Sequence, residues 1–418
     1  MATINAAVDG IILTADATTA LNIQSGGTNA IQVAAGGATT ITSLTISSPA
    51  VFPAGTASAP AITTTGDTNT GVYFPAADQV AVTTGGSVAA AFNTNGLFFR
   101  NRIINGDMRI DQRNAGAAVT INTAALNYVL DRFFGYGQAS DGVYTLQRST
   151  TAPTGFTNSL IATVTTADSS LGATQLYAIA QYIEGFNAAD FGWGASGALT
   201  VTLSFWVRSS VTGTFGGVIR NGAANRSYPF TYSISVANTW EYKTITIPGD
   251  TSGTWATDNT SGPQIWFSLG TGSTLSGTAG AWAGANYISA TGATNLMATL
   301  NATFYITGVQ LESGSVATPF ERRPYSTELM LCQRYYQTVR ACAQDNGAAA
   351  NTKTYTIPVN FNVAMRAAPT VTYTAITTSN VTSRTAINIF EYGFGHQVIA
   401  SGGPSMLEIS TAVASIEF

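Results

Sequence analysis

The sequence predicts an all-β chain interrupted by one short helix. Three observations carry that prediction: short runs alternating apolar with polar residues, glycine- and threonine-rich turns between them, and a single charged stretch of helical spacing near residue 330. The clearest run is ALTVTLSFWVRSS (198–210), where Leu199, Val201, Leu203, Phe205 and Val207 share one face. Thr200, Thr202, Ser204, Trp206 and Arg208 share the other, as the two-residue period of a strand requires. A chain of 418 residues is too long for one ordinary core, and its shifts in composition divide it into four regions.

Residues 1–99 read as a repetitive β stem. LNIQSGG (21–27), IQVAAGG (31–37), TITSLTI (40–46) and VAVTTGG (80–86) each place branched aliphatics at alternate positions, mostly ahead of a Gly-Gly turn. Such a piece buries too little area to stand alone, so it must pack against neighbouring turns or other copies of the chain. Residues 100–323 carry longer strands and larger aromatics, at 198–210, 240–248, 264–270 and 301–314, with turn signals at sandwich spacing. They predict a jelly-roll-like β-sandwich.

Residues 324–343 read as a helical connector. Pro324 precedes Ser326 as N-cap, Glu328 falls in the first turn, and Leu329, Cys332, Tyr336 and Val339 are spaced three, four, three. On one helix, Cys332 and Cys342 would sit about 15 Å apart, too far for a disulfide. Residues 344–418 return to β structure through TYTIPVNF (354–361), MRAAPTVTYTAIT (365–377), AINIFEYGFGHQVIA (386–400) and MLEISTAVASIEF (406–418). A domain this small is marginal alone, which favours association.

Composition narrows the function. Charged residues make up 9% of the chain, against roughly 25% in ordinary soluble domains. The resulting surface of hydroxyls and amides suits sugar recognition and close packing. With a net charge of −4 and only Lys243 and Lys353 as lysines, there is no electrostatic footprint for nucleic acid. The start, MATINAAVDGIILTADATTALN, has no basic residue and no signal-peptide pattern, and no apolar run reaches the roughly 18 residues that span a bilayer. The expectation is a protein made in a cytosol, soluble there, without membrane insertion. His396 is the sole histidine, which excludes ordinary Ser-His-Asp and Cys-His sites and histidine-rich metal sites within one chain. No cofactor and no metal are expected.

Binding candidates are rings and polar side chains in loops. Trp193 (FGWGASG), Trp255 (SGTWATDN) and Trp282 (AGAWAGAN) are flanked by small residues, leaving an indole face for the C–H face of a sugar. Tyr287, Asp258, Asn259 and Asn286 lie near them in sequence. The loop IRNGAANRSYPF (219–230) adds Asn221, Asn225, Arg226 and Tyr228, with Arg226 placed to pair with an acidic sugar. Trp206, Trp240 and Trp266 belong to strands and read as packing residues.

At RNRIINGDMRIDQR (100–113), TLSFWVRSS (202–210), TWEYKTITIP (239–248), GVQLESGSVATPFERRPYSTELMLCQRYYQ (308–337) and MRAAPTVTYT (365–374), the sequence resembles tail-fibre proteins of tailed bacteriophages. TGDTNTGVYFPAADQVAVTTGG (65–86) resembles a repeat common in phage fibres. The resemblance implies a homotrimeric fibre on the virion tail, assembled in the host cytoplasm. Its N-terminal region would join other virion tail proteins, and its sandwich, of carbohydrate-binding type, would bind host polysaccharide or lipopolysaccharide without cleaving it. In that trimer Leu329, Cys332, Tyr336 and Val339 of three chains would meet on the axis, with Glu321, Arg322, Arg323 and Glu328 setting their orientation through ion pairs. Two alternatives remain. A tailspike-type polysaccharide depolymerase needs two acids about 5 to 10 Å apart, and Glu184 with Asp190 or Asp250 with Asp258 are the close pairs in sandwich loops. A structural adaptor or head fibre would make no receptor contact.

Overall fold

The computed structural model describes residues 24–25, 28–29, 49–92, 99–137, 141–347 and 350–418. It falls into two units, Met1–Phe52 and Pro53–Phe418. In the first, Gln24–Ser25 and Thr28–Asn29 pair as antiparallel strands. The repeats at 31–37 and 40–46 lie outside the described residues.

The second unit is all β apart from short helical turns and one helix. It opens with a four-stranded antiparallel meander, Ile62–Thr64, Asp67–Tyr73, Val80–Thr84 and Ser87–Phe92. The turn before the last strand uses Gly85 and Gly86 at φ 56° and 77°, a region glycine enters without steric cost.

Twelve strands then form two six-stranded sheets face to face, a jelly-roll-like sandwich. The first sheet runs Glu241–Ile247, Val201–Ser209, Thr303–Ser313, Ser159–Thr166, Val143–Ser149, Val119–Ile121. The second runs Ser227–Ile234, Gly213–Arg220, Ser261–Thr271, Leu176–Glu184, Phe134–Gly137, Asn127–Tyr128. Val201, Leu203, Phe205 and Val207 all point into the shared core, as their alternation requires. Thr202 and Ser204, on the opposite face, are buried too. The second sheet is apolar on both faces, which is why LYAIAQYI (176–183) reads as a nearly continuous apolar run.

The charged stretch at 321–334 has a different job from the expected one. Its ion pairs close within the chain. The Glu321 carboxylate accepts the backbone N–H groups of Arg100 (3.2 Å) and Asn101 (2.9 Å), and Glu328 accepts that of Asn105 at 2.5 Å. The buried Arg323 guanidinium lies between both acids, 3.4 Å from each, and donates to the carbonyl oxygens of Asn101 and Ile103. Arg322 stacks on Phe156, 4.7 Å from the ring centre. Glu321, Arg323 and Glu328 therefore clamp the 100–105 segment in place.

The helix is also shorter than its spacing suggested. It spans Tyr325–Gln333 after Pro324, so Ser326 is inside it and not its cap. Tyr336 and Val339 lie on the next strand, Tyr336–Asp345, where Gln337, Val339, Ala341 and Ala343 are buried and the residues between them face outward. The two-residue period wins because ten positions pair in register with Met406–Ser415, whereas a continued helix would have had two turns of seam and no partner. The expected helical seam is therefore not formed. Cys332 is buried with Ile104, Ile110 and Tyr335, Leu329 packs against that cluster, Val339 enters the C-terminal core, and the Arg113 guanidinium lies 3.9 Å over the Tyr336 ring.

The two cysteines do not share a helix. Burial, reinforced by Asp131 and Glu328, pushes the Cys332 thiol well above its ordinary pKa, while Cys342 is exposed on the strand. Only the thiolate reacts. A thiol-specific disulfide reagent is expected to label Cys342 in native protein and Cys332 only in denaturant; rapid labelling of both would disprove this packing.

Residues 336–418 form two three-stranded sheets around Val339, Ala341, Val359, Phe394 and Ala412. His396 is buried there, with Nδ1 3.1 Å from the Tyr373 hydroxyl, and burial lowers its pKa. The segment 416–418 returns to the sandwich. Glu417 pairs with Arg113 and Arg132, and Phe418 packs beside Tyr182 and Tyr335 beneath the Arg132 and Arg366 guanidiniums.

Candidate functional site

The three candidate loop tryptophans meet in one cluster. Trp193 lies 4.6 Å from Trp255 and 5.4 Å from Trp282 between ring centres, and Tyr228 lies 5.3 Å from Trp282. Contrary to the open faces expected, Trp193 and Trp255 are each only 9% exposed and join the sandwich core. Their N–H groups donate to the carbonyl oxygens of Leu199 and Ser252, and that of Trp282 to Pro248. A cavity of about 170 Å³ beside Trp193 and Trp255 is lined by Ala, Gly, Trp and Pro together with Thr257. That lining is poor in partners for sugar hydroxyls.

The polar candidates are engaged as well. Asp250 holds Arg226 with bonds of 2.8 and 2.5 Å, so this arginine is already neutralised. Asn225 accepts from Asn221, and Asn259 exchanges hydrogen bonds with the Arg366 backbone and guanidinium. Asp258 is exposed and bonded to Thr260, which lowers its pKa. Tyr287 packs over Gly277, where a β-carbon would sit 2.3 Å from the ring. The acids of the first candidate pair each have partners of their own: Glu184 is bidentate with Arg334 and takes the Tyr335 hydroxyl, and Asp190 pairs with Arg102.

The outer face of the second sheet gathers residues that loop-based reasoning passed over. Three cross-strand rungs lie side by side on it. The first is Tyr136, Ala178 and Ser268; the second is Phe134, Ala180, Trp266 and Val218; the third is Tyr182, Gln264 and Arg220. Small residues beside Trp266 leave room for its indole, which packs edge-on to Phe134 (5.5 Å) and Tyr136 (5.9 Å) and tilted against Tyr182 (5.8 Å). The Arg220 guanidinium lies 4.6 Å over the same indole. It donates from Nε to Gln264 at 2.7 Å and from a terminal nitrogen to Asn286.

Asn286 reaches this face because its loop is tied along the edge strand. Ser227 exchanges backbone hydrogen bonds with Ala283, and its hydroxyl donates to the Ala285 carbonyl at 2.6 Å. Tyr136 is half-buried and Asn286 is exposed, so the face opens to solvent at those two residues. The signal for it was present in the two-residue period. Gln264, Trp266 and Ser268 share one parity, opposite to the core residues Ile265, Phe267 and Leu269.

No protein-family model matches the chain, and no curated protein matches it. Among solved structures it is similar to the enzymatically active domain of tailspike protein 4 of bacteriophage CBA120, at 13% identity over 51% of this chain with a TM-score of 0.27. The chain spans about a fifth of that protein, 21%. It is also similar to a CBM4 structure (15% identity, 50% of this chain, 98% of that one, TM-score 0.27). A third is the family 11 carbohydrate-binding module of a cellulosomal cellulase from Clostridium thermocellum (12% identity, 49% of this chain, 97% of that one, TM-score 0.22).

Proposed function

We propose that the second unit is the glycan-binding part of a bacteriophage tail fibre, with the outer face of its second sheet as the contact surface. The observation that carries this reading is the joining, on one sheet face, of aromatic rings with amide and guanidinium donors. The half-buried ring of Tyr136, held edge-on against the buried Trp266, offers apolar area for a sugar C–H face, and the exposed Asn286, with Arg220 behind it, offers hydrogen-bonding groups on the same face. The low-charge, hydroxyl-rich composition and the resemblance of the 308–337 segment support the assignment to a virion fibre. The sandwich acids lie in ion pairs or hydrogen bonds, which favours binding over cleavage.

As in the resemblance, three chains would assemble, but not through a helical seam. Repetition of weak sites in a trimer, and of fibres on a particle, raises avidity by about 10² to 10⁴. The test is competition by purified protein against phage adsorption to host cells, with solution mass measured alongside. Tyr136→Ala is expected to weaken competition roughly tenfold, a loss of about 1.4 kcal/mol, and Trp282→Ala to weaken it less. The reverse ranking would move the site to the loop cluster. Wild-type protein that neither binds cells nor competes leaves the adaptor role instead, and a single-chain mass rejects the trimer.

A further inference from the structure

Three arginines are buried to a similar degree: Arg132, Arg220 and Arg323, at 1%, 7% and 8% exposure. Arg132 pairs with Glu417, and Arg323 with Glu321 and Glu328. Arg220 has no ion pair among the described residues. Its neighbours are the neutral acceptors Gln264, Asn286 and Tyr182 and the Trp266 ring. Burial of a cation without a counter-charge costs several kcal/mol, and chains tolerate it where something compensates. A hydrogen-bond network and one cation–π contact offset part of that cost.

We propose that Arg220 is the recognition residue for a carboxylated sugar, so that the glycan taken by this face carries uronic acids or other sugars with a ring-borne carboxylate. This deepens the glycan-binding reading above and rests on it. The geometry suits a carboxylate. A guanidinium presents parallel N–H donors to the two oxygens of a carboxyl group, and of the current acceptors Asn286 is the one on an exposed loop, able to yield its place. Trp266 is buried beneath the guanidinium and packs edge-on to the half-buried Tyr136, so Tyr136 is the ring on this face that a pyranose bearing that carboxylate would meet. The arginine that sequence position favoured, Arg226, is closed to such a role by Asp250.

The experiment uses the full chain and bacterial polysaccharides containing uronic acids, each presented in native form and after chemical reduction of its carboxyl groups to alcohols. Wild-type protein is expected to bind the native form at least about tenfold more tightly than the reduced form, as a charged hydrogen-bonding pair warrants. Arg220→Gln is expected to bind both forms alike, at the weaker level. A second readout separates this from a folding defect: Arg220→Met removes an uncompensated charge, so its melting temperature is expected to match or exceed wild type. Equal wild-type binding to both forms, discrimination that survives in Arg220→Gln, or preference for phosphorylated over carboxylated sugars overturns the proposal while leaving glycan binding intact. A lowered melting temperature in Arg220→Met also overturns it, by giving Arg220 a structural role. Absence of binding to any polysaccharide removes both readings together.

Discussion

Replacement of Glu417 by alanine is expected to destabilise the second unit by about 3–5 kcal/mol, the usual result of removing one partner from a buried ion pair. Glu417 bridges Arg113 and Arg132, and Arg132 is 1% exposed. Burial alone would lower the pKa of Arg132, but Glu417, helped by the phenols of Tyr335 and Tyr128, more than offsets it, and the net shift is upward. Without that carboxylate the guanidinium keeps the Tyr182 carbonyl at 2.6 Å and the Tyr335 ring at 3.6 Å, neither of which carries a full charge. Because 416–418 also tie residues 336–415 to the sandwich, the variant should become more sensitive to proteolysis between the two as well as to urea. Glu417→Gln keeps an acceptor and is expected to fall between. A loss below about 1 kcal/mol for the alanine variant, typical of exposed pairs, would show that this joint carries little of the stability.

Trp193→Ala is the second large effect, at about 3–5 kcal/mol for deletion of a buried indole. Trp193 touches Phe191, Trp255 and Trp282 and closes one end of the sandwich core. Its loss leaves a cavity where three loops converge, and thermal unfolding monitored by circular dichroism should report it directly. An open indole in a loop, as the sequence predicts, would when replaced by alanine lower adsorption with melting temperature unchanged. A variant behaving that way, with native stability and lost glycan binding, would return the loop cluster to the centre of the site.

Much of the fold was legible because its signal is local. The face of Val201, Leu203, Phe205 and Val207, the turn at Gly85–Gly86 and the return to β structure after residue 347 follow from period and turn chemistry alone. Cys332, Tyr336 and Val339 illustrate the limit. Helical spacing and strand alternation both fit this stretch, and the ten-rung pairing with Met406–Ser415, some seventy residues away, decided between them. The charges at 321–328 were legible as unusual, but their partners at 100–105 lie more than two hundred residues distant.

By itself the sequence determined an all-β chain with a jelly-roll-like sandwich, one short helix in the 324–343 stretch, low charge and a set of candidate rings. Tertiary structure alone decided which rings are open, which arginine is already neutralised and which sheet face carries polar groups among aromatics. The physical reason is one of range: the backbone period is written in each residue and its near neighbours, whereas the solvation of a ring or a charge depends on what the rest of the chain brings within a few ångströms of it. Arg220 and Arg226 stand six positions apart in one stretch, and only the approach of Asp250 to one of them tells the two apart.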